Sequence, residues 1–170
     1  MESIQSAINA YFLGERTEMI SVIAGSVIVS TCIVLLNRRY RHNLTRALSW
    51  SVLFSGLLLS VTAISLLFRD AELRNTLLSG LSTSHSIELL TTELQRINTV
   101  VGKYHIYQCV SACIIVSSIF AVFFSKYSNV RGISIGLILL SIAQLMIDDY
   151  SENRAIQYQS QLFHALYSPP

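Results

Sequence analysis

"GISIGLILLSIAQLMIDDYSENRAIQY", residues 132–158, decides the fold. Gly132–Ile147 contains no Asp, Glu, Lys or Arg. Asp148, Asp149, Glu152 and Arg154 follow at once, with neither Pro nor Gly between. One helix can therefore carry both the apolar run and the charges. An unbroken apolar run that ends on charge is what a helix leaving a bilayer requires, because a hydrocarbon core of ~30 Å takes ~20 residues.

Three more runs have the same character. Met19–Leu36, Ala47–Phe68 and Tyr104–Phe124 are also free of Asp, Glu, Lys and Arg. Each falls within the ~17–25 residues that cross a membrane. The run at 132–147 is shorter and must borrow from its flanks. The 170-residue chain is 52% hydrophobic and 13% charged, against ~25% charged in soluble domains. Four such runs would leave a soluble all-helical protein little surface for water. The expected fold is all-α: a polytopic membrane protein with a four-helix transmembrane bundle. Acidic rather than basic residues precede the first run, and no small-residue cleavage site follows it, so it reads as a span and not a signal peptide. Both prolines, Pro169 and Pro170, stand at the end, so nothing kinks a span.

Charge sets the expected orientation. The loop after the first span carries Arg38, Arg39, Arg41 and Arg46, and the loop after the third carries Lys126 and Arg131. Neither contains an acid. The opposite side has six basic and ten acidic residues. Short basic loops stay in the cytoplasm, so both termini are expected outside the inner membrane of a bacterium. The net charge of +2 averages these two unlike faces. The basic loops read as an orientation signal and a contact with anionic lipid, not as a nucleic-acid site.

Most of the chain outside the spans lies on the outer side. Residues 1–14 place Ile4, Ile8, Tyr11 and Phe12 on one face, which predicts a short amphipathic helix lying at the interface and stopped by Gly14. Residues 69–103 read as a helical hairpin. Asp70 caps its first helix, Gly80 ends it, and "LSTSHS" turns the chain. From Ser86, Ile87, Leu90, Leu94, Ile97 and Val101 recur at three- and four-residue steps and form a seam for a partner helix. This helix can run on through the third span as a rod of about 58 Å over residues 86–124, with Gly102 its weakest point. Residues 148–167 continue the fourth span outward, with Ala155, Tyr158, Leu162 and Leu166 on one face. The two seams can pair with each other or with another protein. Glu88, Gln95, Arg96, Asn98, Thr99, Gln157, Gln161 and His164 lie off the seams and are the candidates for docking a protein partner or a second copy.

Where the spans end, charges from four helices reach one level: Glu15, Arg16, Glu18, Arg69, Asp70, Lys103, His105, Asp148, Asp149, Glu152 and Arg154. This collar is either a set of surface ion pairs that fix helix ends or a polar pocket for a cation or lipid head group. No HExxH, CxxC or paired-His spacing points to a metal, and no cofactor is implied. The spans hold no acid or base of the kind small multidrug transporters need. Cys32, Cys109 and Cys113 lack the pairing a thiol–quinone oxidoreductase requires. Facing His pairs for haem are missing, as is a nucleophile with an adjacent base. Ser26, Ser30, Ser51, Ser55, Gly56, Gly132 and Gly136 have the spacing that lets membrane helices approach closely.

Two stretches resemble a family of small four-span bacterial inner-membrane proteins. Phe12, Gly14, Arg16, Glu18 and Met19 match F-x-G-x-R-x-E-M. Asp148, Tyr150, Glu152, Arg154, Ala155 and Tyr158 match D-x-aromatic-x-E-x-R-A-x-x-Y. The resemblance covers both ends of the chain and its layout. It implies a four-helix membrane fold and transfers no activity. It draws Arg16, Glu18, Glu152 and Arg154 together, and the expected pairing is Arg16–Glu152 with Glu18–Arg154, tying the first span to the fourth. The reading that follows is a non-enzymatic membrane protein that binds a protein partner through its outer helical face. An immunity protein against an envelope-targeting toxin, or an accessory subunit of an envelope complex, fits that reading. The alternative is a small-ligand sensor, or a membrane enzyme, with its site in the collar.

Overall fold

The computed structural model describes residues 2–40, 42–81 and 86–167. They form four helices: α1 (Glu2–Arg39), α2 (Asn43–Gly80), α3 (Ser86–Phe124) and α4 (Ser128–Tyr167). There is no strand among the described residues. Each helix contains a window apolar enough to cross a membrane. With 38 to 40 residues apiece, the helices are about 57–60 Å long, roughly twice the hydrocarbon thickness. The basic connections at 40–42 and 125–127 are short and abut the apolar runs. The excess length of all four helices therefore projects on the opposite side.

The two halves pack differently. The projecting half has a core of large side chains, with Ile8, Ile97, Tyr158 and Leu162 fully buried and Tyr11, Phe12, Leu77, Leu90 and Leu94 around them. The membrane half exposes its large residues, among them Ile28, Trp50, Phe54, Leu57, Phe123 and Leu139. A bilayer solvates those outward faces. The contacts between helices there are made by small residues. A Cβ on Gly132 would stand 2.5 Å from the Leu44 carbonyl oxygen, and one on Gly136 would stand 2.6 Å from Ser51 Oγ. Gly56 likewise abuts Ser30 on α1.

Seven-residue repeats run through both halves. On α4 the buried positions are Ser134, Ser141, Asp148, Ala155 and Leu162. On α3 they are Leu90, Ile97, Ser111 and Ser118, with half-buried Tyr104 completing the series. On α2 they are Ser49, Ala63, Asp70 and Leu77, with Gly56 between. A seven-residue period keeps one seam facing a neighbour along a long helix. Water drives large apolar residues into that seam outside the bilayer. Inside it, where no hydrophobic force acts between helices, close packing of small residues replaces them.

Helices α3 and α4 pack as a long antiparallel pair, as do α1 and α2, and α2 and α4 join these pairs side by side. Helix α1 touches α4 over a shorter stretch and reaches α3 through side chains, with Tyr11 against Arg96. The bundle is thus a flattened one, with α2 and α4 inside.

Several expectations are corrected. Gly14 does not stop a helix, because α1 continues through it to Arg39. One helical glycine costs only about 1 kcal/mol, while burial of Ile4, Ile8, Tyr11 and Phe12 holds the segment upright in the core. It does not lie at the interface. Asp70 caps nothing, since α2 is continuous from Asn43, so the hairpin at 69–103 consists of the projecting ends of α2 and α3. Gly80 does close α2, and the Leu81 amide donates to the Leu77 carbonyl. The turn at 82–85 lies outside the described residues. Ile87 is 72% exposed and is not part of the seam, which begins at Leu90. Gly102 interrupts nothing: α3 runs through it.

Candidate functional site

Where α1 leaves the projecting core, Glu15 and Glu18 occupy adjacent positions on its α4-facing side, three residues apart and so neighbours on the helix. Arg154 on α4 lies against both. Its Nη2 donates to Glu15 Oε1 at 2.7 Å and to Glu18 Oε2 at 2.5 Å. Ser151, one turn inward, donates to Glu18 Oε1. These side chains are nearly enclosed, with 13% of Arg154, 11% of Glu15 and 8% of Glu18 exposed. The Tyr150 ring stands 5.3 Å from the guanidinium carbon.

Asp148 is buried behind this group. Its Oδ1 accepts from Gln144, and its Oδ2 has no partner among the described residues. Burial raises its carboxyl above the usual range. Gln144 opposes that shift, while Glu18 and Glu152 reinforce it. Burial also raises Glu15, with Arg154 countering and Glu18 and Asp70 adding to the rise. Glu15 and Glu18 thus share one guanidinium, and Asp148 adds a third buried acid beside Glu18. Such a cluster is completed by protons or by a cationic group.

The collar is accordingly not one ring. Glu15, Glu18, Asp148 and Arg154 come together. The expected Glu18–Arg154 pair is present, and Glu15 joins it as Arg154's second partner. The expected Arg16–Glu152 pair is absent. Glu152 accepts from Gln108 of α3 at 2.6 Å, whereas Arg16 faces the α1–α2 groove near Asp70 and Arg74. One residue along a helix is a turn of about 100°, which puts Arg16 and Glu15 on different sides. Arg69 pairs with neighbouring Asp70 at 3.0 Å. Lys103, His105 and Asp149 are exposed.

A lateral cleft of about 530 Å³ opens inward of Glu18. Helix α1 leans on α2 through Ser26, Ser30 and Gly56, and α4 stays on α2 through Gly132 and Gly136, which leaves a gap between α1 and α4. Ser21, Gly25 and Ser26 line one wall, Gly136, Ala143 and Ile147 the other, and Ser55 and Gly56 the floor. Glu18 is the one charged residue in the lining.

The docking candidates divide in the same way. Arg96 pairs with buried Glu93 through two bonds of 2.7 Å, and Tyr158, stacked on Tyr11 at 4.4 Å, donates to Glu93 Oε1. Asn98 accepts from Gln159 of α4, and the Thr99 hydroxyl bonds the Gln95 carbonyl. Arg96 and Asn98 therefore hold the bundle together. Gln95, Gln157 and Gln161 are exposed, as are Glu88 and His164. Sequence reasoning missed Glu93, whose only signal is an acid one helical step from Leu90 and Ile97. Among the described residues no group of three His, Cys, Asp or Glu side chains is placed to hold a metal.

No protein-family profile, curated protein or solved structure matches the chain. Fold and composition define it as a multi-pass membrane protein built on a four-helix bundle.

Proposed function

We propose that the protein is a non-catalytic binding protein of the membrane that takes an amphiphile into the α1–α4 cleft, alkyl chain inward and cationic head group at Glu18. The carrying observation is the apolar cleft ending on a buried cluster with more carboxylates than cations. A chain fills the small-residue walls, and an ammonium group supplies the charge the cluster lacks. The test uses protein in lipid nanodiscs and two fluorescent probes of equal chain length, one ending in an amine and one in a sulfonate. The amine is expected to bind preferentially. Glu18→Gln and Gly25→Leu should both weaken it. A side chain at position 25 enters open space, since a Cβ there meets nothing within 4 Å. Equal binding of both probes overturns the reading.

In this reading the basic connections face the cytoplasm of a bacterium, and the outer core and both termini lie beyond the inner membrane. With the native cysteines replaced, Ser160→Cys should react with an impermeant thiol reagent on intact spheroplasts, and Asn129→Cys should not.

A second reading is favoured by exposed apolar side chains beyond the membrane level. Ile156, Phe163 and Tyr167 on α4 and Ile87 on α3 are open. They suit a protein partner at the outer tip, such as a toxin neutralised by an immunity protein or a subunit of an envelope complex. Complex mass in mild detergent, for wild type and Phe163→Asp, separates a partner or homo-oligomer from a monomer.

A further inference from the structure

On the other side of α1, a second groove of about 590 Å³ lies between α1 and α2 at the level where the spans end. Its apolar wall is formed by Ile20, Ile64, Leu67 and Phe68, and its upper rim carries Arg16, Asp70 and Arg74. Arg69 stands beside Phe68 and is bound to Asp70 at 3.0 Å. Three arginines thus surround one carboxylate that is already paired. Arg74 donates Nε and Nη2 to Asn9 Oδ1, at 3.1 and 2.7 Å, which fixes its guanidinium in place. Arg16 is exposed and makes no hydrogen bond or ion pair among the described residues. Both acids beside it on α1, Glu15 and Glu18, are held by Arg154 on the opposite face.

We infer that this groove binds an acidic phospholipid of the outer leaflet, its phosphate at Arg16 and Arg74 and one acyl chain along Ile20, Ile64 and Phe68. The inference is independent of the α1–α4 cleft. The occupant follows from complementarity in two respects. Unopposed guanidinium groups favour a phosphate oxyanion through charge-assisted hydrogen bonds. The apolar wall runs inward from that level, where acyl chains begin. A zwitterionic lipid brings a positive group into an already positive rim, so the excess charge selects an anionic head group. Phe68, 75% exposed, offers its ring to the chain.

The test uses the full chain in mild detergent, with dioleoylphosphatidylglycerol, dioleoylphosphatidylcholine and inorganic phosphate as separate probes. Retained lipid is read by native mass spectrometry and the thermal midpoint by scanning fluorimetry. Phosphatidylglycerol should be retained and raise the midpoint, while phosphatidylcholine and free phosphate should do neither. Arg16→Gln should weaken phosphatidylglycerol retention about tenfold, as expected for loss of a charged hydrogen bond. It should leave the lipid-free midpoint unchanged, since Arg16 has no partner among the described residues. Equal retention by wild type and Arg16→Gln, or by the two lipids, overturns the inference. So does a phosphate effect matching that of phosphatidylglycerol.

Discussion

Gly14 and Arg154 face each other so closely that a Cβ on residue 14 would stand 2.6 Å from Arg154 Cδ and 3.1 Å from its Nε. The bare backbone of α1 is what lets the guanidinium lie flat and reach Glu15 and Glu18. Alanine normally stabilises a helix over glycine by about 1 kcal/mol. Gly14→Ala should nonetheless lower the thermal midpoint in mild detergent, because it displaces Arg154. Gly102→Ala, which meets nothing within 4 Å, should raise it. Equal gains at both positions would show that the Gly14–Arg154 fit carries no weight.

Arg154→Gln should be among the most damaging single changes. Removing one partner of a buried ion pair costs about 3–5 kcal/mol, and here two enclosed carboxylates lose their only shared cation. Arg69→Gln breaks a pair whose guanidinium is 62% exposed, and exposed pairs contribute about 0–1 kcal/mol. Chemical denaturation in mixed micelles should rank the two variants in that order.

The same cluster sets a pH dependence. The carboxyls of Glu15 and Asp148 are raised by burial above their ordinary values of 4.5 and 3.8. A raised carboxyl means that the folded state binds the proton more tightly than the unfolded chain does. Its stabilising contribution is complete below the ordinary values and disappears as pH rises through the folded ones. The thermal midpoint should therefore fall as pH rises from those ordinary values towards neutrality. Asp148→Asn, which mimics the protonated acid, should stabilise the protein at pH 7.5 and flatten the profile. A profile identical to wild type would remove Asp148 from this role.

Much of this was legible in the sequence, but not all for the same reason. Four apolar helices and their extensions beyond the apolar runs are local properties, so hydropathy and periodicity found them. The Leu90–Leu94–Ile97 seam was legible because outside the bilayer buried means large and apolar. Its continuation through Ser111 and Ser118 was hidden, because inside the bilayer the same heptad is marked by small residues. The collar was wrong in azimuth, since Glu152 turns to Gln108 and Arg16 to the α1–α2 groove. Charge at a span boundary follows from the chain alone, but the separation of Arg16 from Glu152 depends on which helices are neighbours. With α2 and α4 on the inside, α1 presents Glu15 and Glu18 to α4 and Arg16 to α2. Glu93 was overlooked because a buried acid looks like a surface residue until Arg96 and Tyr158 are seen around it.

The end of the bundle beside the basic connections offers a prediction of the opposite kind, in which backbone rather than charge is the obstacle. A Cβ on Gly132 would meet the Leu44 carbonyl oxygen at 2.5 Å, Ala47 Cβ at 3.0 Å and the Leu48 amide at 3.0 Å. None of these is the tip of a flexible side chain, so Gly132→Ala must push α4 away from α2. Contact between membrane helices depends on close packing with no hydrophobic compensation. The whole α2–α4 seam from Gly132 to Gly136 should therefore loosen. Gly25→Ala adds the same methyl group to the apolar part of α1, in open space, and should leave the midpoint equal or higher. Spin labels at the exposed positions Trp50 on α2 and Leu139 on α4, with the native cysteines replaced, would test the geometry directly. Their separation should widen in the Gly132→Ala background and hold in Gly25→Ala. An unchanged separation in Gly132→Ala would mean that α2 and α4 do not meet through Gly132.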